Sequence, residues 1–186
     1  MEIRAKSILD FWFIESSPEE LFKKDEIFDQ KIRDRFFTDY QNAIQNKYDN
    51  WQDHPKTCLS LIIILDQFSR NLFRNDKRSF DQDQKSRLIV NEAVDRNYLE
   101  ELNLKERLFM LLPLIHSEDI SDHTYGHNLC DTYLKDHDNY KMIKKIWDDH
   151  TIVIKKFNRY PHRNLILNRQ SSETEELFLQ QPNSSW

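Results

Sequence analysis

The segment DEIFDQKIRDRFFTDYQNAI, residues 25–44, decides the fold class of this chain. Large apolar residues recur at every fourth position of it, and they are Phe28, Ile32, Phe36, Tyr40 and Ile44. A spacing near 3.6 residues places them along one face of an α-helix, while the charged residues between them fall on the opposite face. The segment therefore predicts a long amphipathic helix.

The helical pattern continues along the chain and predicts further helices at about 57–73, 79–97, 104–116, 121–135 and 138–157. The first of these is apolar on almost every side, which is typical of a helix in the centre of a core. One glycine among 186 residues leaves little material for the tight turns of β-hairpins. We therefore expect an all-α fold in a single domain, residues 1–179, followed by a polar tail, residues 180–186.

Capping motifs predict where three of the helices begin. In each motif a Ser or Asn is followed three positions later by a glutamate, and the pairs are Ser17 with Glu20, Asn103 with Glu106 and Ser172 with Glu175. The first side chain accepts a hydrogen bond from the third backbone N–H, and the glutamate reaches back to the first. Helices should start directly after these residues.

Composition narrows the class of protein. With 27 basic and 32 acidic side chains the formal charge is -5, and both signs are mixed along the chain, so we do not expect nucleic-acid binding. The longest apolar run is far shorter than the roughly 20 residues of a membrane span. Cys58 and Cys130 stand apart, which indicates reduced thiols in a cytoplasmic protein. We expect no metal, cofactor or disulfide to be needed for folding.

A polar cluster ends the central helix and consists of Asp66, Gln67, Arg70 and Asn71. Asp66 and Arg70 are four residues apart in the favourable acid-first order, which puts them on one helix face. Burying either charge alone is costly, so the two should be paired. The pair is either a salt bridge that fixes helix packing or part of the lining of a cleft.

A second cluster follows Pro113, which lacks a backbone N–H and should kink or end its helix. His116 and Glu118 come just after it. An imidazole and a carboxylate at a helix end can act as an acid–base pair, and a histidine there can also interact with the last carbonyls of the helix. Both interpretations stay open from the sequence.

The third cluster lies at Arg159, His162, Arg163 and Asn164, after a helix whose apolar stripe includes His150. A lone histidine on such a stripe indicates a core residue. Pro161 is well suited to open a helical turn, which would place His162 and Arg163 beside unpaired backbone N–H groups. Such a helix start favours binding of a phosphate or carboxylate. The alternative is that the two arginines pair with internal carboxylates such as Asp66 or Glu118.

His123 and His127 have the spacing of a zinc-binding helical pair. The segment lacks the glutamate of the HExxH motif and contains the single glycine, Gly126. We therefore predict no metal site there.

Four blocks in order resemble the bacterial family catalogued as domain of unknown function 924: residues 8–13, 65–71, 113–118 and 157–164. The resemblance implies an α-α superhelix of antiparallel helical hairpins, similar to tetratricopeptide repeats, and no established activity. The chain departs from the family pattern at His123, where glutamine is expected, and at Asn158 and Asn168, where glycine is expected. Asparagine is the next-best residue for the left-handed position that closes a helix.

Three functional hypotheses follow. The first is a binding module whose polar groove accepts an anionic small molecule or an acidic peptide. The second is a hydrolase-like enzyme that uses His116 or His162 with Glu118 or Asp66 for acid–base chemistry. The third is a polar network with a structural role only. We expect six residues to converge around one partly accessible pocket, and they are Asp66, Arg70, His116, Glu118, His162 and Arg163.

Overall fold

A computed structural model describes residues 2–182 and 184–185. The α-helices are α1 Ile3–Asp10, α2 Pro18–Phe22, α3 Glu26–Ile44, α4 Pro55–Ile62, α5 Ser69–Leu72, α6 Asp83–Asp95, α7 Leu104–Ile115, α8 Ile120–Tyr133, α9 Tyr140–Phe157 and α10 Glu173–Leu179. No β-strand occurs within the described residues, which confirms the all-α prediction. The finer prediction of a tetratricopeptide-like superhelix stays a prediction.

Helix starts agree with the capping motifs. The predicted capping boxes form before α2, α7 and α10, with both reciprocal hydrogen bonds present in each. Asp25 caps α3 through its carboxylate, which accepts from the backbone N–H groups of Ile27 and Phe28. The helix predicted over 79–97 begins later, at Asp83, because a short 3-10 helix, Lys77–Ser79, precedes it.

The predicted central helix is one run from α4 to α5 that widens into a π-helical segment at Ile63–Phe68. A second π-helical segment, Phe11–Glu15, extends α1. The two segments pack together, since the rings of Trp12 and Phe68 lie 5.7 Å apart. A π-helical segment turns its side chains out of the normal helical register and is frequent at functional sites. The one in the central run carries Asp66.

The core forms between the central run, the apolar stripe of α3 and helix α7. Leu59 and residues 61–65 have no exposed surface, as expected for a helix surrounded on all sides. Phe28, Ile32 and Phe36 of α3 are also fully buried or nearly so. Helix α8 packs between α7 and α9. No helix in the described part of the chain is both long and apolar enough to cross a membrane.

Asparagine residues occupy the left-handed backbone positions. Asn158 ends α9 with φ 54°, and Asn168 has φ 53°. These are the two positions at which the family resemblance leads us to expect glycine, and the left-handed geometry agrees with asparagine as the substitute. The prediction of a polar tail over 180–186 stays a prediction, and Asn183 and Trp186 lie outside the described residues.

Gly126 lies inside α8 because Trp147 of α9 leaves no room for a side chain. A Cβ built there would lie 2.3 Å from Trp147 Cζ3 and 2.9 Å from its Cη2. Trp147 is buried, so its ring cannot move aside freely. We expect Gly126→Ala to lower the free energy of unfolding by about 1–3 kcal/mol through overpacking, despite the gain of about 1 kcal/mol in helix propensity.

Urea unfolding measures this effect. Thr124→Ala is the matched control, because Thr124 is exposed on the same helix. A Gly126→Ala protein as stable as wild type would contradict the close packing of α8 on α9.

Candidate active site

Asp66 and His116 form the centre of a polar network that joins the central run to the end of α7. Asp66 Oδ1 lies 2.7 Å from His116 Nδ1 and 3.2 Å from Arg70 Nη1. The second oxygen, Oδ2, accepts a hydrogen bond from Gln67 Nε2 at 2.6 Å. The Asp66 side chain is fully buried, so its charge is balanced by these partners alone.

Asp83, at the start of α6, connects Arg70 with Arg163. Its two oxygens lie 3.0 Å from Arg70 Nη2 and 3.1 Å from Arg163 Nη1. Arg163 also donates from Nη2 to the carbonyl oxygen of His116 at 2.9 Å. Its guanidinium lies between two rings, with its centre 4.5 Å from the Phe80 centroid and 4.6 Å from that of Tyr160. Arg163 therefore pairs with an internal carboxylate, as in the alternative interpretation. The carboxylate is that of Asp83 and not that of Asp66 or Glu118.

Glu118 belongs to a neighbouring network. Its carboxylate accepts two hydrogen bonds from Arg169, at 2.6 and 2.9 Å, and one from the backbone N–H of Tyr160. Arg169 also donates to Asn164 Oδ1 at 3.0 Å, and Asn164 Nδ2 lies 3.3 Å from Glu175 Oε1. No hydrogen bond joins Glu118 to His116 within the described residues, so the structure gives no direct support to the interpretation of these two as an acid–base pair.

Several predicted residues stand outside the Asp66 network. Arg159 forms two hydrogen bonds with Glu175, and Asn71 donates to Asp29 at 2.8 Å. His150 is buried on α9, as expected, and its Nδ1 donates to the Ile146 carbonyl at 2.7 Å. Burial lowers the pKa of His150 to about 3.

The predicted helix start at Pro161 is a single 3-10 turn, Pro161–Arg163. A turn of three residues has no helix dipole to attract an anion, so it gives no support for an anion site, and the anion site stays a prediction. Burial, together with the charge of Arg163, lowers the pKa of His162 to about 3. The imidazole of His162 lies beside the ring of Tyr160, with 5.4 Å between the centroids.

The charges of the two adjoining networks balance. Three carboxylates, Asp66, Asp83 and Glu118, face three guanidinium groups, those of Arg70, Arg163 and Arg169. A site that attracts anions needs an excess of positive charge. This arrangement therefore supplies little attraction for a phosphate or carboxylate ligand.

The protonation state of the central pair follows from its surroundings. Burial opposes the charge of Asp66, but Arg70 and His116 outweigh it and lower the pKa of Asp66 to about 2. Burial lowers the pKa of His116 below its ordinary value of 6.5, and the Asp66 carboxylate offsets only part of that effect. At neutral pH the pair is therefore an ionised aspartate and a neutral imidazole.

The tautomer of His116 is fixed by Asp66. An ionised carboxylate only accepts hydrogen bonds, so the proton of the neutral imidazole lies on Nδ1 and the lone pair lies on Nε2. No described residue forms a hydrogen bond with Nε2, and the His116 side chain keeps 18% of its surface exposed. An imidazole with a buried carboxylate on one nitrogen and an open lone pair on the other can act as a general base.

Two grooves of the described surface lie away from His116. One of about 480 Å³ lies at the start of α7 and includes Lys105 and His137. Another of about 360 Å³ lies along α6 and includes Lys85 and Leu88. Neither includes His116, so the predicted pocket around it remains a prediction.

Sequence reasoning missed Asp83 and Arg169. Asp83 carried only the signal of an acidic residue in the first turn of a helix, which is common for structural reasons. Arg169 lies in a loop outside the four quoted blocks. Across the described residues, no group of three or more His, Cys, Asp or Glu side chains is arranged to hold a metal ion.

Comparison with known proteins gives a family and one similar structure. The model of a family described as bacterial protein of unknown function (DUF924) matches residues 8–183. The solved structure of a protein of unknown function from Agrobacterium tumefaciens is 30% identical in sequence, with a TM-score of 0.85, and the match covers 95% of this chain and 97% of that one. No curated protein matches the chain.

Proposed function

Because the chain belongs to the bacterial family DUF924, which carries no assigned activity, we propose a function from the site itself: a hydrolase that uses His116 as general base. The observation that carries the proposal is the contact of 2.7 Å between buried Asp66 and His116 Nδ1, which leaves Nε2 without a hydrogen-bond partner among the described residues on a side chain that is 18% exposed. Asp66 is the positioning residue. It holds the ring and stabilises the imidazolium that forms when Nε2 takes a proton.

Water is the nucleophile in this proposal. His116 Nε2 takes one proton from water while the oxygen bonds to a carbonyl carbon of the substrate, and the imidazolium then gives that proton to the leaving oxygen as its bond to carbon breaks. Arg70 lies within the same network and keeps 21% of its side chain exposed, so it can stabilise the negative charge that develops on the substrate. The balanced charges of the network favour a substrate that is polar but uncharged.

The expected dependence of the rate on pH follows from His116. A general base must be neutral, and burial lowers the pKa of His116 below 6.5. The rate should therefore decline as the pH falls, with the midpoint of the decline below pH 6.5. A decline already centred above pH 6.5 would contradict a buried imidazole as the base.

Hydrolysis of p-nitrophenyl acetate tests the proposal. Wild type should hydrolyse this ester faster than the same concentration of free imidazole, and His116→Gln should lower the rate by about 10²- to 10⁴-fold. His54→Gln is the matched control, because His54 is exposed and lies before the first residue of α4, with the whole of that helix between it and Asp66. A wild-type rate no higher than that of imidazole would overturn the proposal and leave a structural role for the network.

The anion-accepting groove, for a small molecule or an acidic peptide, is the second candidate. One observation favours it: Arg163 Nε is buried and has no hydrogen-bond partner among the described residues. If this N–H binds an anion, inorganic phosphate should raise the melting temperature of wild type and not that of Arg163→Lys. The balanced charges lead us to expect no shift in either protein.

A further inference from the structure

A pair of histidines lies outside the proposed active site, where α8 packs against α9. His123 has no exposed surface, whereas the side chain of His127, one turn later on α8, keeps 18% of its surface exposed. Both rings contact the hydroxyl of Thr151 on α9: Oγ1 lies 2.9 Å from His123 Nδ1 and 2.9 Å from His127 Nε2. A single hydroxyl therefore joins a buried imidazole to one at the surface.

The Thr151 hydroxyl has one proton, so it can donate only one hydrogen bond at a time. Thr151 Oγ1 also lies 2.8 Å from the carbonyl oxygen of Trp147, and His123 Nε2 lies 2.9 Å from that of Ser117. A carbonyl only accepts, so a neutral His123 must carry its proton on Nε2 and accept at Nδ1. Thr151 then donates to His123 Nδ1, and His127 Nε2 donates to Thr151. The three groups form a directed chain of hydrogen bonds that points inward.

A protonated His123 is also satisfied in place. Its Nδ1–H would donate to Thr151 and its Nε2–H would still donate to Ser117, while the Thr151 hydroxyl would donate to the Nε2 of a His127 that has passed its own proton on. Each of these acceptors is within 2.9 Å of its donor atom. The site can thus accept a proton at His123 without losing a hydrogen bond.

We propose that His127, Thr151 and His123 form a proton wire, which carries a proton from solvent to the buried imidazole of His123. The stability of this part of the fold then depends on acid in the solvent. A proton from hydronium bonds to His127 Nδ1 and leaves a water molecule. The Nε2 proton of His127 moves to Thr151 Oγ1, and the hydroxyl proton of Thr151 moves to His123 Nδ1. One proton enters, His123 becomes an imidazolium, and His127 is left as its other neutral tautomer.

Charged and titratable groups on every adjoining element affect the two rings. His123 is influenced by Asp122 and His127 on its own helix and by His116 at the end of α7, and its ring lies 6.3 Å from that of Tyr160. Asp122 is already paired with Arg87 at 2.8 Å. His127 is influenced by Asp131 on α8 and by three residues of α9, Lys144, Asp148 and Lys155. Asp148 Oδ1 lies 3.8 Å from His127 Nε2, the nitrogen that also contacts Thr151.

The direction of the acid response follows from burial. Burial lowers the pKa of His123 below 6.5, so the unfolded chain takes up this proton at a higher pH than the folded chain does. The stability contributed by neutral His123 is therefore complete above pH 6.5 and is lost as the pH falls below it. A positive charge on His123 also disfavours a positive charge on His116. Protonation of His123 through the wire would therefore lower the pKa of His116, the proposed general base.

The wire is tested by following the His123 Cε1–H signal by NMR while the pH is lowered. Proton exchange through the wire needs no opening of the fold, so wild type should show one averaged His123 signal that moves continuously. Thr151→Val removes the hydroxyl and His127→Gln removes the proton carrier while keeping a donor. Each should give two separate signals, one for neutral and one for charged His123, because exchange then waits for local opening.

Matched variants keep the outcome clear. Thr151→Ser restores the hydroxyl and should restore the averaged signal, and the exposed His54→Gln should behave as wild type. Circular dichroism establishes that each variant is folded at the pH of the measurement. An averaged signal in both Thr151→Val and His127→Gln, or a wild-type His123 that takes no proton before the chain unfolds, would overturn the proposal.

Discussion

Replacement of Asp66 by asparagine is expected to lower the rate of ester hydrolysis by about 10⁴-fold. Asparagine removes the negative charge that stabilises the His116 imidazolium, and its amide can donate to His116 Nδ1. The imidazole would then carry its proton on Nε2, where it cannot act as a base. The loss should appear in kcat/KM for p-nitrophenyl acetate, because the chemical step is slower when no base takes the proton in the transition state.

Asp83→Asn is the matched control for Asp66→Asn. Asp83 pairs with Arg70 and Arg163 in the same network but forms no hydrogen bond with His116 within the described residues. Its replacement should disturb the network and leave the His116 tautomer, and most of the rate, intact. Equal rates for wild type and Asp66→Asn would show that His116 does not depend on Asp66.

Arg163→Ala is expected to lower the free energy of unfolding by about 3–5 kcal/mol, since it removes one member of a buried ion pair. The Arg163 side chain is 7% exposed, and its loss would leave Asp83 with Arg70 as its remaining partner. It would also remove the donor to the His116 carbonyl and the cation between the rings of Phe80 and Tyr160. Urea unfolding measures the change.

Arg78→Ala is the control for the loss of an arginine. Arg78 also pairs with an aspartate, Asp76, but its side chain is 56% exposed, so water and salt screen the pair and the change in stability should be small. Phosphate should not alter the difference between wild type and Arg163→Ala. An Arg163→Ala protein as stable as wild type would mean that the contacts of Arg163 with Asp83, His116 and the two rings do not stabilise the fold.

The helices after α1 could be predicted from the sequence because they carry local signals. The stripe from Phe28 to Ile44 and the capping boxes depend on residues three or four positions apart, and the structure follows both. Asn158 could be assigned to a left-handed position because few residues other than glycine tolerate it. The π-helical segment at Ile63–Phe68 left no such signal, since apolar residues surround it on every side.

The candidate site could be predicted only in part, because its contacts join residues far apart in sequence. The contact between Asp66 and His116 spans 50 positions, and that between Arg163 and Asp83 spans 80. The polarity of Asp66 on an apolar helix indicated that partners were needed, but no local pattern identified them. The role of Thr151 between two histidines was likewise beyond prediction, since a threonine on a helix has many structural roles.

The tautomer of His116 in solution tests the central claim most directly, and it needs no substrate. Long-range ¹H–¹⁵N correlation spectra distinguish a protonated ring nitrogen from one that bears a lone pair. At pH 7 the account predicts a neutral His116 with its proton on Nδ1 and a bare Nε2, and in Asp66→Asn it predicts the proton on Nε2. A wild-type His116 that is protonated on Nε2, or on both nitrogens, would contradict it.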